Sequence, residues 1–151
     1  MEVGLSFWAA HAVGAAGWAA LILASKRRRL AVRVARTCAA LAAIGYLIIF
    51  VTHMEGMTVL ARDYSVSGVS ALFQNPMLAL LGWVHYIAFD LWVGSWEVEE
   101  ADRIGMRHAL LVPCLVLTSL FGPLGLLLFL GSARLVRGRR ALEGEVPSRP
   151  I

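Results

Sequence analysis

The sequence predicts an all-α integral membrane protein, a bundle of four transmembrane helices with an interfacial segment between helices 2 and 3. Of 151 residues, 59% are hydrophobic and only 16% are charged, and the mean hydropathy is +0.71. The charged residues are gathered in short stretches, whereas a soluble protein needs them over its whole surface. Four apolar runs separate these stretches, each close to the roughly 20 residues that a helix needs to cross a bilayer.

The first two predicted helices, at about 4–25 and 34–52, are rich in small residues. Basic residues follow the first helix and do not precede it, so we expect a retained anchor and not a cleaved signal peptide. Alanine recurs at every fourth position, which lets membrane helices approach closely. The two rows are Ala12, Ala16 and Ala20, and Ala35, Ala39 and Ala43. We interpret both as packing surfaces.

The second half of the chain contains a polar interruption and two further helices. Residues 53–75 carry Arg62 and Asp63 at their centre, which predicts an interfacial or re-entrant segment. The third and fourth helices are predicted at about 76–96 and 108–131. They complete a single domain over 1–138, and 139–151 is expected to be a flexible basic tail.

The positions of the basic residues indicate orientation and partners. A four-helix count places eight Lys and Arg residues on one side and six on the other. The cluster after the first helix predicts that this loop and the acidic 97–107 loop face the cytoplasm, in the inner or plasma membrane if the host is a bacterium. Basic residues beside apolar runs favour lipid headgroups over nucleic acid. Cys38 and Cys114 lie within apolar runs and predict neither a disulfide framework nor a zinc site.

Ionisable residues inside the predicted helices are the candidate functional residues, because a charge in hydrocarbon costs several kcal/mol. His85 and Asp90 lie within the third helix and are the candidate catalytic residues. At 100° per residue they point about 140° apart, so one straight helix cannot place both on one metal ion. No metal site is predicted, and the sequence leaves cofactors open.

Depth counting places His11, Tyr46, His85 and Ser119 in one polar layer, where they either serve a ligand or fasten the bundle by hydrogen bonds. Trp18 and Trp83 either pack the bundle or wall a slot for a long apolar ligand. The candidate substrate-binding residues are Trp83, Tyr86, Trp18, His11, Ser119, Arg107 and His108, and the predicted helix breaks are Pro113, Pro123 and Gly125.

Three motifs carry a resemblance to a known family. They are Gly-Trp-Val-His-Tyr-Ile-Ala-Phe-Asp-Leu-Trp-Val-Gly at 82–94, Gly-Met-Arg-His at 105–108 and Phe-Gly-Pro-Leu-Gly-Leu-Leu at 121–127. The chain resembles the small integral membrane proteins required for neoxanthin synthesis in plants, the abscisic-acid-deficient type, and their bacterial relatives. The resemblance covers about 75–131, and the first two helices match only in hydropathy. Ser95 stands where many bacterial members have Arg.

The resemblance implies a role in carotenoid or isoprenoid metabolism, with an epoxy-carotenoid isomerised to an allenic one. Such a reaction needs an acid and a base and no net redox change, and Asp90 would donate the proton while His85 accepts one. The alternative is a non-catalytic carotenoid- or lipid-binding partner subunit. A small proton-coupled transporter is disfavoured because the sequence has no inverted repeat. The expected partners are membrane lipid, a carotenoid, and a second copy of the chain or a carotenoid enzyme.

Overall fold

The computed structural model describes residues 3–23, 25–57, 63 and 65–142, and within them every regular element is a helix. This confirms the all-α prediction for those residues. Three of the helices, α1, α2 and α4, are long and apolar enough to cross a membrane. The elements are α1 (Val3–Leu23), α2 (Arg28–Thr52), a 3-10 helix (Met54–Met57), α3 (Val66–Phe73), α4 (Pro76–Arg103), α5 (His108–Phe121) and α6 (Pro123–Leu142).

Helix α4 is the central element and is longer than predicted. It begins after Asn75, whose side-chain oxygen accepts a hydrogen bond from the Met77 N–H at 2.9 Å. It ends in a turn where Gly105 has φ +65° and the Met106 N–H donates to the Ala101 carbonyl at 2.8 Å. The predicted loop at 97–107 is therefore wrong over 97–103. Arginines of α2 and α6 pair with the acidic side chains there, so these residues remain helical.

The prediction of a single fourth helix at 108–131 is also wrong, because the chain reverses direction at Gly122. Gly122 has φ +20°, a conformation that glycine adopts readily, and Pro123 begins the next helix. The Cys114 thiol of α5 interacts with the side chain of Ser132 on α6. In a straight helix these two residues would be about 27 Å apart. Helices α5 and α6 therefore form an antiparallel pair, called here the 108–142 hairpin.

The hairpin packs against the last turns of α4 and returns to the end at which it began. Its tip lies beside Asp90, and the Trp96 and Phe129 rings meet edge to face at 5.4 Å. Near its open end, Arg137 pairs with Glu100. The basic end of α6 thus lies at the same end of the bundle as the start of α2. Helix α6 continues past 139, the predicted start of the tail, to Leu142, and 143–151 lie outside the described residues.

Close packing between α1, α2 and α4 depends on small residues, as expected, although not on both of the predicted rows. Ala35 and Ala39 of α2 are buried, whereas Ala12 and Ala16 of α1 are exposed. Helix α1 instead makes its close contacts through Gly14 and Gly17, which face Ile87 and Leu91 of α4. A Cβ at Gly17 would lie 2.7 Å from a terminal methyl carbon of Leu91, so any larger residue would require the Leu91 side chain to shift.

The predicted interfacial segment, 53–75, is described at 53–57, 63 and 65–75. Helix α3 has eight residues, far fewer than a membrane crossing needs. Its start is fixed by Ser65, whose side chain accepts from the Gly68 N–H at 3.4 Å, and by Asp63, which accepts from the Ser65 N–H at 2.9 Å. Residues 58–62 and 64, which include Arg62, lie outside the described residues.

Candidate functional site

The His85 imidazole lies on the side of α4 that faces α2, and its side chain is exposed. It stacks on Phe89, one turn further along α4, with ring centroids 4.5 Å apart. The Tyr46 ring of α2 approaches it at 5.9 Å. Their spacing of four residues puts His85 and Phe89 on one face of the helix. Two members of the predicted polar layer therefore meet.

The other two members of that layer do not join them. The His11 Nδ1 hydrogen-bonds the Phe7 carbonyl at 3.0 Å, and the His11 ring stacks on Trp83 at 5.4 Å. The Ser119 hydroxyl donates to the Val116 carbonyl at 2.8 Å. Each of these two side chains bonds a carbonyl three or four residues earlier in its own helix, and the common depth of the four residues stays a prediction.

Beside His85, an apolar groove of about 340 Å³ runs between α2 and α4. Small side chains of α2 form one wall, and Phe89 and Trp92 of α4 form the other, with 62% and 55% of their surfaces exposed. Such a groove suits a long, narrow apolar ligand, because flat aromatic faces stay uncovered along it. The groove is lined by Ala39, Ala40, Ala43, Ala88, Phe89 and Trp92.

A polar cluster closes the groove at the end opposite His85. The Arg36 guanidinium carbon lies 5.0 Å from the centroid of the Trp92 ring, within range of a cation–π interaction. Arg36 also donates to the Ser95 hydroxyl at 3.2 Å and to a Glu99 carboxylate oxygen at 2.5 Å. The groove therefore has an apolar middle and a polar group at each end.

Asp90 leaves α4 on a different side and faces the tip of the hairpin. Its Oδ1 lies 3.1 Å from the position that a Cβ at Gly122 would occupy, so glycine leaves room for the carboxyl group. His85 thus lies beside Tyr46 of α2, whereas Asp90 lies beside Gly122 at the hairpin tip. Within the ranges that the structure describes, no group of three or more His, Cys, Asp and Glu side chains is arranged to hold a metal ion.

A second carboxyl group, Glu97, lies behind Asp90 and is fully buried between α4 and α5. Its Oε1 accepts a hydrogen bond from the Thr118 hydroxyl at 2.9 Å, and among the described residues Oε2 has no partner. The sequence predicts Glu97 in the acidic 97–107 loop, which is wrong, because Glu97 lies within α4. Its spacing of seven residues from Asp90 does predict that both carboxyl groups share one helix face.

The remaining predicted binding residues lie away from the groove lining. Trp18 is partly buried and packs closely against Gly94, so it serves the core. Trp83 is 45% exposed beside His11, and Tyr86 makes an edge contact with His85 at 6.4 Å.

At the start of the hairpin, Arg107 is exposed and occupies the N-cap position of α5. His108 ties α5 to α1, since its Nε2 donates to the Ile22 carbonyl at 2.8 Å. Its buried Nδ1 has no partner among the described residues.

The three predicted helix breaks differ in their effects. Pro113 lies within α5 and does not end it. Pro123 is the first residue of α6, where a missing N–H costs nothing. Gly125 is buried, and a Cβ there would overlap the Thr118 backbone nitrogen. Gly125 therefore brings the two arms of the hairpin into backbone contact.

The fold and this site define an all-helical protein with helices apolar enough for a membrane and with an open apolar groove along its central helix. A family model described as ABA4-like, ABA DEFICIENT 4-like, matches residues 5–129, so the chain belongs to that family. The match includes the first two long helices as well as the motifs of α4 and the hairpin. Neither the curated proteins nor the solved structures contain a match to this chain.

Proposed function

We propose that the protein binds a carotenoid-like polyene within the membrane, with the α2–α4 groove as its binding surface. Family membership links the chain to the carotenoid and abscisic acid pathway. The observation that carries the proposal is the exposure of Phe89 and Trp92 along a groove with an entirely apolar lining. A conjugated polyene is a flat apolar rod, and aromatic faces provide large contact areas for it.

The polar groups at the groove ends support a ligand with a polar end group. His85 and Ser95 lie ten residues apart on α4, which corresponds to about 15 Å. The hydrocarbon core of a bilayer is about 30 Å thick, so the groove would hold half of a membrane-spanning rod. An oxygen on one end ring would lie near either His85 and Tyr46 or Arg36 and Ser95.

In the membrane, we place α1, α2 and α4 as spanning helices and the 108–142 hairpin as a re-entrant element. Among the described residues, all twelve Lys and Arg side chains lie towards the end that contains the start of α2 and the open end of the hairpin. Because basic residues are enriched on the cytoplasmic side of membrane proteins, this clustering favours that end as the cytoplasmic one. This replaces the nearly equal count of a four-span arrangement.

Pigment binding to the purified protein tests the proposal, with the absorption spectrum and pigment stoichiometry as the measurements. Ala40→Leu would narrow the groove and should reduce bound pigment at least about fivefold. Ala16→Leu is the matched control, since Ala16 is also exposed but lies on α1, outside the groove. Equal pigment content in both variants would overturn the groove as the binding surface.

Isomerisation of an epoxy-carotenoid is the second candidate function, favoured by two ionisable side chains in one apolar helix, His85 and Asp90. In the reaction, the epoxide C–O bond opens while a neighbouring carbon loses a proton to the His85 imidazole. Asp90 protonates the oxygen, and the proton on His85 then returns to Asp90. The two side chains leave α4 about 140° apart. The end group of the pigment must therefore extend beyond the groove and around α4 to contact both.

Conversion distinguishes the two candidates. Purified protein incubated with violaxanthin should form the allenic isomer without an added redox partner if the chain is itself the catalyst. Bound but unchanged pigment supports the binding function and contradicts catalysis by this chain alone.

A further inference from the structure

A second cavity, of about 330 Å³, lies between the start of α2 and the end of α4. It shares no lining residue with the apolar groove, and the contact of Arg36 with Trp92 separates the two. Half of its lining consists of arginine. The α2 side contributes Arg28, Arg29, Val32, Arg33 and Arg36, and the α4 side contributes Val98, Glu99 and Asp102.

Among the described residues, only two of the four arginines that line this cavity form an ion pair with a carboxylate. Arg28 pairs with Asp102 at 3.4 Å, and Arg36 pairs with Glu99 at 2.5 Å. Arg29 and Arg33 lie one helical turn apart on the same face of α2 and are exposed, and neither has an ion pair within the described residues. The cavity therefore keeps two uncompensated positive charges, on a wall whose other two arginines are held in place.

We propose that this cavity binds the phosphate headgroup of an anionic phospholipid. Guanidinium groups match phosphate oxygens in bidentate geometry, and two unpaired ones at adjacent turns can hold a single phosphate between them. Val32 and Val98 supply apolar contacts for the glycerol part of the lipid.

The position of the cavity favours a lipid over a free phosphate. The cavity lies at one end of two long apolar helices, next to Trp92, where acyl chains attached to the phosphate can continue along apolar helix surfaces. A soluble phosphate would leave that apolar side without a partner. This inference does not rest on the proposed pigment function, because the two sites have different linings.

Native mass spectrometry of the full chain in detergent tests the site, with phosphatidylglycerol and phosphatidylcholine of equal chain length as the probes. The wild type should bind phosphatidylglycerol at least about tenfold more tightly than phosphatidylcholine. The Arg29→Gln/Arg33→Gln double variant should lose at least about tenfold in affinity for phosphatidylglycerol, since a direct hydrogen bond from a guanidinium group to a charged phosphate contributes at least about a factor of ten.

The Lys26→Gln/Arg27→Gln double variant is the matched control. It removes the same charge from the same end of α2, from exposed residues outside the cavity, and should lose less than about threefold. An equal loss of phosphatidylglycerol affinity in both double variants would show that only general surface charge matters, and it would contradict the proposed site. Glycerol phosphate that binds the wild type as tightly as phosphatidylglycerol would overturn the assignment to a lipid. Unchanged circular dichroism of both variants verifies that they are folded.

Discussion

The Thr118 hydroxyl of α5 donates a hydrogen bond to the buried Glu97 carboxyl group of α4 at 2.9 Å. This bond joins the 108–142 hairpin to the central helix at a point where both side chains are fully buried. Because Oε2 of Glu97 has no partner among the described residues, Thr118 is the group that satisfies this carboxyl. The contact holds the hairpin against the face that carries Asp90.

Loss of the Thr118 hydroxyl should therefore destabilise the fold. Thr118→Val keeps the shape of the side chain and leaves a buried carboxyl without a donor, which should cost about 1 kcal/mol of unfolding free energy. Thermal unfolding in detergent measures the effect. Ser119→Ala is the control, because that hydroxyl bonds a carbonyl of its own helix, and its cost should stay below about 0.5 kcal/mol. Similar costs for both variants would contradict the role given to the Glu97–Thr118 bond.

A methyl group at Gly125 should separate the arms of the hairpin. The Cβ would overlap the backbone of Thr118, so Gly125→Ala is expected to cost about 1–3 kcal/mol, measured as a lower Tm in detergent. Gly131 lies on the same helix with open space around it, and Gly131→Ala should be neutral or stabilising by up to about 1 kcal/mol. If both substitutions raise Tm, α5 and α6 do not pack as described.

The hairpin should place the end of α6 on the same side of the membrane as the start of α5. Reporter fusions after residues 30, 100 and 142 should all report the cytoplasmic side, because the hairpin returns α6 to the end at which α5 begins. A fusion before α1 should report the opposite side. A fusion after residue 142 that reports the side opposite to residues 30 and 100 would restore a four-span arrangement.

The two ionisable side chains of α4 should differ in their effects on pigment. His85→Gln removes a proton acceptor at the groove end and should abolish conversion, with pigment binding reduced less than about threefold. Asp90→Asn should abolish conversion with pigment binding also reduced less than about threefold, because Asp90 is not among the residues that line the groove. Pigment analysis of cells and of purified variants measures both quantities.

A matched aromatic substitution serves as the reference for these variants. Trp92→Ala removes a wall of the groove and should weaken pigment binding by about three- to tenfold. Full pigment conversion by both His85→Gln and Asp90→Asn would contradict the acid–base mechanism and leave pigment binding as the proposed function.

Much of the candidate site follows from one-dimensional periodicity. A period of 3.6 residues places His85, Phe89 and Trp92 on one face of α4 and Asp90 with Glu97 on another, and the structure has both faces as expected. The family resemblance, carried by motifs in α4 and the hairpin, is confirmed by a match that extends to residue 5. Periodicity does not indicate which neighbour covers each face. It therefore does not show that Phe89 and Trp92 line the groove while Trp18 and Trp83 lie outside it.

By itself, the sequence determined the helical class, the membrane-compatible composition, the position of α1 and the end of α2, because apolar runs and their lengths are local properties. The predicted start of α2 at 34 is wrong, since the helix begins at Arg28 within the basic cluster. Tertiary structure alone decided that the last apolar run folds back at Gly122, that the acidic residues after Trp96 remain helical, and that Glu97 is buried. The physical reason is that each depends on a partner distant in the chain. Gly125 contacts the Thr118 backbone, the acidic residues meet arginines of α2 and α6, and Glu97 meets Thr118.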